Sequence, residues 1–304
     1  MFDLVTVGHF AIDFIKSPIR PAPKPELGGP PTYVSLAAAH LGAKVSVISK
    51  VGEDFPTRYE VWLRRRGIDL SGLKKIEGAL TTSFVLDYSE QGERQLILKS
   101  RAPTIEAEDV PDSLEAKAIH IAPIANEVSY EATIKLRGLA DIVSLDPQGF
   151  LRRFDANGNM HLEGMENPQV LRKTDIFKAS RGEIEALTGK HDLLQAAEKV
   201  SRYGARIVVV TKGGEGTLLY DGGRVYEVPV AKPKVVVDTT GAGDVFIGAF
   251  LAEYSRGKEA LWCACVGSAS ASFAVEKFGP RGLGNRKKVY ERAAKVYEES
   301  SALG

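Results

Sequence analysis

The clearest chemistry in the sequence lies in Val235-Val236-Val237-Asp238-Thr239-Thr240-Gly241-Ala242-Gly243-Asp244-Val245-Phe246. A strand-like run enters a loop of small residues, and an apolar helical pattern follows at once. Successive backbone N–H groups in such a loop, aimed together with a helix N-terminus, form an anion site. Asp244 falls in the first helical turn, where a carboxylate also complements the helix dipole. Other glycine-rich readings fail on spacing. A dinucleotide fingerprint needs glycine where Phe246 stands, and no G-x-x-x-x-G-K-[ST] occurs, because Gly189-Lys190 and Gly257-Lys258 lack the flanking residues. Protein-kinase catalytic-loop and zinc HExxH patterns are absent. Cys263 and Cys265 stand two apart in an apolar helical segment and point to different faces, so they suit neither a redox pair nor joint metal ligands. The five histidines (His9, His40, His120, His161, His191) are scattered and receive no catalytic role.

The elements around this loop follow a β-α rhythm. Residues 4–8, 44–51, 118–121, 142–145, 176–179 and 207–211 read as strands. Residues 33–41, 57–66, 130–139, 181–187, 193–203 and 261–278 read as helices. The alternation predicts a mostly parallel sheet covered by helices on both faces. Two stretches break it. Residues 10–27 hold Pro18, Pro21, Pro23 and Pro25, and residues 83–87 and 95–99 form a hairpin pattern across Ser89-Glu90-Gln91-Gly92-Glu93. Both fall outside a parallel core and suit a small β flap. A second hairpin is expected where residues 217–220 turn through Asp221-Gly222-Gly223 into 225–230. No repeat or linker divides the 304 residues, so one domain over 1–304 is expected, with a lid from about 10–30 and 80–100.

Composition narrows the function. The chain is 44% hydrophobic and 26% charged, which excludes disordered, collagen-like and disulfide-scaffold classes. Forty Lys and Arg against 39 Asp and Glu give a net charge of +1, with no global attraction to nucleic acid or acidic membranes. The longest charge-free apolar stretch, residues 261–275, is too short to span a bilayer. A soluble cytoplasmic protein is expected. Asn and Gln number five each, a composition of heat-adapted proteins.

Asp238-Thr239-Thr240-Gly241-Ala242-Gly243-Asp244 resembles the C-terminal signature of the PfkB (ribokinase-like) family of sugar and nucleoside kinases. Gly28-Gly29 with the Ala-rich run to Leu41-Gly42 resembles its N-terminal signature, and Val51-Gly52-Glu53-Asp54-Phe55 its V-G-x-D-x-F-G segment. The resemblance implies a ribokinase-like three-layer α/β/α fold with a small β lid, ATP as donor, Mg2+ as cofactor and a homodimer paired through the lid. By the same resemblance, Asp244 is the base that takes the acceptor hydroxyl's proton. Gly241, Ala242 and Gly243 form the anion hole for the transferring phosphoryl group, whose chemistry asks for positioning and neutralisation of charge. Asp13, Gly28 and Gly29 match acceptor-binding positions.

Nucleotide contacts are implied at Ser180, at Thr211, Gly213 and Gly216 of Val210-Thr211-Lys212-Gly213-Gly214-Glu215-Gly216, and at Ser270 in the small-residue helix. Ser180 stands where the family's N-x-x-E motif has Asn. Glu183 is retained, in reach of Mg2+ through water; the same pair also reads as a capping box. After Gly28-Gly29, Pro30-Pro31-Thr32-Tyr33 replaces the usual contacts of sugar kinases. Residues 97–103, 145–155 and 177–180 are similar to the family's inositol kinases. Gln148 and Glu127, each just past an expected strand, fall where open α/β sheets bind ligands, or satisfy their own loops. A polyol such as myo-inositol offers hydroxyl pairs to Asp13 and Gln148. A nucleoside would want an aromatic slot from Phe10, Phe14 or Tyr33, and ribose or fructose is a further alternative. A nucleotide- or sugar-binding sensor needs no base, so the retained Asp244 argues for an enzyme.

Overall fold

A computed structural model describes residues 1–17, 22–89 and 94–303. Pro18, Pro21 and the turn residues Glu90 to Glu93 lie outside the described residues. In chain order the strands are β1 (Phe2–Val7), β2 (Ala11–Lys16), β3 (Pro25–Gly28), β4 (Val45–Gly52), β5 (Ile68–Ile76), β6 (Thr82–Tyr88), β7 (Arg94–Ser100) and β8 (Ala116–Ile121). They continue as β9 (Ala140–Leu145), β10 (Arg152–Phe154), β11 (Met160–Leu162), β12 (Ile176–Ser180), β13 (Ile207–Thr211), β14 (Thr217–Asp221), β15 (Arg224–Val228) and β16 (Ser301–Leu303). The helices are α1 (Pro30–His40), α2 (Thr57–Arg64), α3 (Tyr130–Arg137), α4 (Gln148–Leu151), α5 (Arg181–Thr188), α6 (Leu193–Ser201), α7 (Ala242–Tyr254), α8 (Ala260–Ala274) and α9 (Arg286–Glu299).

Ten strands form one sheet in the order β16-β15-β14-β13-β12-β9-β8-β1-β4-β5. Pairing is parallel from β13 to β5 and antiparallel from β13 through β14 and β15 to β16. Strands covered on both faces need apolar side chains at successive positions, and all eight residues of β4 are buried. One face packs against α1, α2, α7, α8 and α9. The other packs against α3, α5 and α6. The chain is therefore a three-layer α/β/α fold. Among the described residues no helix is long and apolar enough to cross a membrane.

A second sheet, β3-β2-β6-β7, stands apart from the first. Its inner residues Ala11, Phe84, Leu86 and Leu96 pack with Ile124, Phe154 and Met160, the last two from the β10–β11 hairpin.

Several local expectations are corrected. The run 235–237 is not a strand. Val235 and Val236 are 54% and 62% exposed. The amides of Val237 and Asp238 both donate to the Val275 carbonyl, so the segment is tied to the end of α8 and pairs with no strand. Helix α1 begins at Pro30, before the expected 33, because the first turn needs no intrahelical N–H from proline. Helix α8 stops at Ala274, short of 278. Strand β5 at one edge of the sheet, β16 at the other, helix α9 and the β10–β11 hairpin have no counterpart among the expected elements.

Candidate active site

The carboxyl ends of β9, β12 and β13 and the N-terminus of α7 converge on one crevice, where an open α/β sheet takes ligands. The loop before α7 is shaped by Asp238. One carboxylate oxygen of this buried residue accepts from the Thr240 amide at 2.9 Å and the other from the Gly279 amide at 3.2 Å. Gly241 caps the helix with φ of 73°, a conformation that disfavours a side chain. A Cβ there would also fall 2.5 Å from the Tyr33 ring. The first-turn amides of Gly243 and Asp244 have no intrahelical acceptor, and both residues line the crevice.

Asp244 is partly exposed to the crevice. Burial raises its pKa to about 6; Lys178 and Arg152 oppose that rise, while Asp146 and Glu183 add to it. Lys178 is nearly buried, and its Nζ donates to Asp146 Oδ2 at 2.5 Å. Burial works against the Lys178 ammonium, but Asp146, Glu183 and Asp244 hold its pKa well above the ordinary value. Asp146 is fully buried, and its second oxygen accepts from the Gln148 amide at 3.2 Å. A Cβ on Gly243 would fall 2.8 Å from Lys178 Nζ, so this charge sits directly against the helix N-terminus.

On one side of Asp244 the crevice opens into a cleft of about 600 Å3. Ser180, Glu183, Thr211, Gly213, Gly216 and the Gly241–Asp244 turn line it. Ser180 and Glu183 form a capping box on α5: the Glu183 amide donates to Ser180 Oγ, and the Ser180 amide to Glu183 Oε2 at 2.8 Å. The far wall is apolar and small, with Val230, Ala231, Pro233, Val236, Ala271 and Val275.

Ser270, expected in this wall, does not line the cleft. At 100° per residue, Ser268, Ala271, Ser272 and Val275 share the cleft face of α8. Ser270 is turned away from it, and its buried hydroxyl has no hydrogen-bond partner.

On the other side of Asp244 lies a recess of about 60 Å3. Asp13, Gly29, Tyr33, Gln148 and Arg152 line it beside Phe84, Leu86, Leu96 and Ile124 from the small sheet and its neighbour loop. Asp13, on β2, is 5% exposed. Its carboxylate occupies the space a side chain on Gly28 would need, since a Cβ there would overlap Asp13 Oδ2. The small sheet is joined to the loop by a 2.9 Å hydrogen bond between Tyr88 Oη and Thr240 Oγ1.

Gly28, Glu127, Phe10 and Phe14, all expected at the acceptor, do not line this recess. Glu127 is fully buried and accepts from the amides of His9, Ile124 and Ala125. Its oxygens are consumed in riveting the loop after β1 to the loop after β8. Phe10 is fully buried in the core, its ring 5.8 Å from that of Phe55. Conversely, the sequence reading gives no role to Lys178 or Arg152. Arg152 lines both cleft and recess. Lys178 carries a usable signal: a lysine inside the buried run Ile176-Phe177-Lys178-Ala179 requires a carboxylate on a neighbouring strand.

A family model described as pfkB family carbohydrate kinase matches residues 1–287. The chain is 32% identical to a cytidine kinase of Thermococcus kodakarensis over 288 residues, covering 92% of this chain and 98% of that protein. It is 30% identical to an inositol 3-kinase of Oryza sativa subsp. japonica, over 88% of this chain and 68% of that protein. Its fold matches a pyrophosphate-dependent kinase in the ribokinase family, complexed with a pyrophosphate analog and myo-inositol. That match has a TM-score of 0.81 at 24% identity, over 95% of this chain and 99% of the other.

Proposed function

Because the chain belongs to the pfkB family of carbohydrate kinases, phosphotransferases with an alcohol group as acceptor, we propose that it phosphorylates a hydroxyl of a cyclitol, first of all myo-inositol, with ATP as donor. The polar lining of the acceptor recess carries this reading. At about 60 Å3, against about 600 Å3 on the donor side, the recess is smaller than a polyol ring, so the small sheet must shift outward to admit one. Around that ring Asp13 and Asp244 accept hydrogen bonds, Arg152 donates, and Gln148 does both.

In this reading Asp244 takes the proton of the reacting hydroxyl. The amides of the Gly241–Asp244 turn, with Lys178, meet the charge of the transferring phosphoryl group. The apolar far wall of the large cleft suits an adenine ring, which supports ATP over a donor without a base. Among the described residues no three His, Cys, Asp or Glu side chains cluster as a metal site. That suits Mg2+ carried mostly by phosphate oxygens and water, with Glu183 the carboxylate that would hold it through water. The small sheet acts as a lid, and the Tyr88–Thr240 hydrogen bond supports a closed position over the loop. Closure would exclude water from the transferring group.

The pH profile should show the base. Asp244 must be ionised to accept a proton, and its pKa lies at about 6. We expect kcat/KM to fall on an acid limb centred near that pH, about tenfold for each further unit. A flat profile down to pH 4.5 would remove Asp244 from this role.

A second reading rests on two specific observations. Phe84, Leu86, Leu96 and Ile124 give the recess an apolar side that a nucleobase could use, and the cytidine kinase relative spans nearly the whole chain. The deciding measurement is kcat/KM for myo-inositol against cytidine, adenosine, ribose and fructose under identical conditions. We expect myo-inositol to lead. A nucleoside or simple sugar ahead by more than about tenfold, about 1.4 kcal/mol in transition-state binding, would end the cyclitol reading and leave the kinase reading intact.

A further inference from the structure

Tyr33 is 2% exposed, and its hydroxyl has no hydrogen-bond partner among the described residues. It nonetheless lines the acceptor recess. Its position is tightly fixed. It sits in the first half of α1, behind the Pro30-Pro31 start, and its ring lies flat against Gly241, where an added Cβ would fall 2.5–2.6 Å from three ring carbons. A buried phenol without a partner is costly to a fold, on the order of 1–3 kcal/mol. Five further buried side-chain polar atoms lack partners among the described residues, but those of Thr6, Ser17, Ser35, His120 and Ser270 line neither the cleft nor the recess.

The surroundings dictate what the phenol can do. Burial, then the fields of Asp13, Asp238 and Asp244, push its pKa well above the ordinary value, so the group stays protonated. The carboxylates of Asp13 and Asp244 can only accept hydrogen bonds from a bound polyol. A ring hydroxyl held there must give its proton to one of them and still needs a donor to its oxygen. The Tyr33 hydroxyl is a neutral donor within the fields of both carboxylates; it is itself buried, so a bound acceptor would reach it as the small sheet shifts.

We propose that the Tyr33 hydroxyl donates a hydrogen bond to a non-reacting hydroxyl of the acceptor, making Tyr33 a specificity-determining residue of this chain. The proposal rests on the kinase reading and on the recess as the acceptor site; it does not depend on the acceptor being a cyclitol. A group kept without a protein partner fits a site that rejects acceptors lacking one hydroxyl, because the buried donor is then left unpaired.

The test compares wild type with Tyr33→Phe, which keeps the ring against Gly241 and removes only the hydroxyl. Binding calorimetry and steady-state kinetics use the acceptor with the highest kcat/KM in the panel above. They also use its mono-deoxy analogues: deoxyinositols for myo-inositol, 2′- and 3′-deoxycytidine for cytidine. The acceptor Kd and KM should rise at least about tenfold, more than kcat falls. One deoxy analogue strongly rejected by wild type should bind Tyr33→Phe as well as the parent compound does. Thermal unfolding should occur at or above the wild-type temperature, because a partnerless buried hydroxyl has gone. Parent binding within about twofold of wild type with an unchanged order of analogues would overturn the proposal, as would a lowered Tm, the mark of a hydroxyl that serves only the fold. If cytidine leads the panel, the cyclitol reading falls and this test proceeds on the deoxycytidines.

Discussion

Asp244→Asn is expected to lower turnover by at least about 10²-fold, the usual minimum for losing a positioned general base. The amide keeps the size of the carboxylate and leaves the amides of the Gly241–Asp244 turn in place, so donor and acceptor should still bind. The fold should not suffer. The native pKa of Asp244, about 6, lies above its ordinary 3.8. Its ionisation therefore takes stability away as pH rises through that window, and the neutral Asn avoids that loss at pH 7. The informative set is kcat, ligand Kd and Tm together. Near-normal turnover with intact binding would show that the proton leaves by another route. Loss of turnover with loss of folding would say nothing of a base and is not expected.

Lys178→Met should be the most destabilising single change in the site. It leaves the fully buried Asp146 without the cation that compensates it, and breaking such a pair from one side costs about 3–5 kcal/mol. For a chain of this size the melting temperature should drop on the order of 10 °C. Removing both charges is a different matter. The double variant Asp146→Asn with Lys178→Met should recover most of that stability, because an uncharged pair needs no compensation. Turnover should stay low in both variants if Lys178 meets the transferring phosphoryl charge, as proposed. A single variant that melts within about 2 °C of wild type would mean that Asp146 is neutral or otherwise paired.

The layered fold and the loop at 238–244 are legible in the sequence because both rest on local signals: apolar runs of strand length, and small residues before an apolar helix. Features that depend on the partner across space are not. Strand β5 carries Gly72, Lys74 and Lys75 on an exposed edge, so it lacks the apolar run of a central strand. The valines at 235–237 have that run yet lie outside the sheet, with Pro233 beside them and the end of α8 as their hydrogen-bond partner. Glu127 and Gln148 look alike as polar residues after strands. Only the folded chain shows that three amides consume the first, while the second faces both cleft and recess. Lys178 is readable in principle, as a charge inside a buried strand, but its carboxylate lies 32 residues away.

Cleft and recess are not separate chambers. Gln148, Arg152, Gly241 and Asp244 belong to the walls of both, so the two meet at Asp244 and the α7 turn. This contiguity favours inhibition by a single tethered molecule. A compound carrying an adenosine-like end and a polyol-like end, joined by a short anionic bridge, would engage both halves at once. Its second half would bind at the high local concentration set by the bridge. The bridge must be short and negative, since it would run past Asp244 and across the amides of the α7 turn. Selectivity among related kinases would then come from the polyol-like end, where this chain presents Tyr33 and Arg152, and potency from the tether.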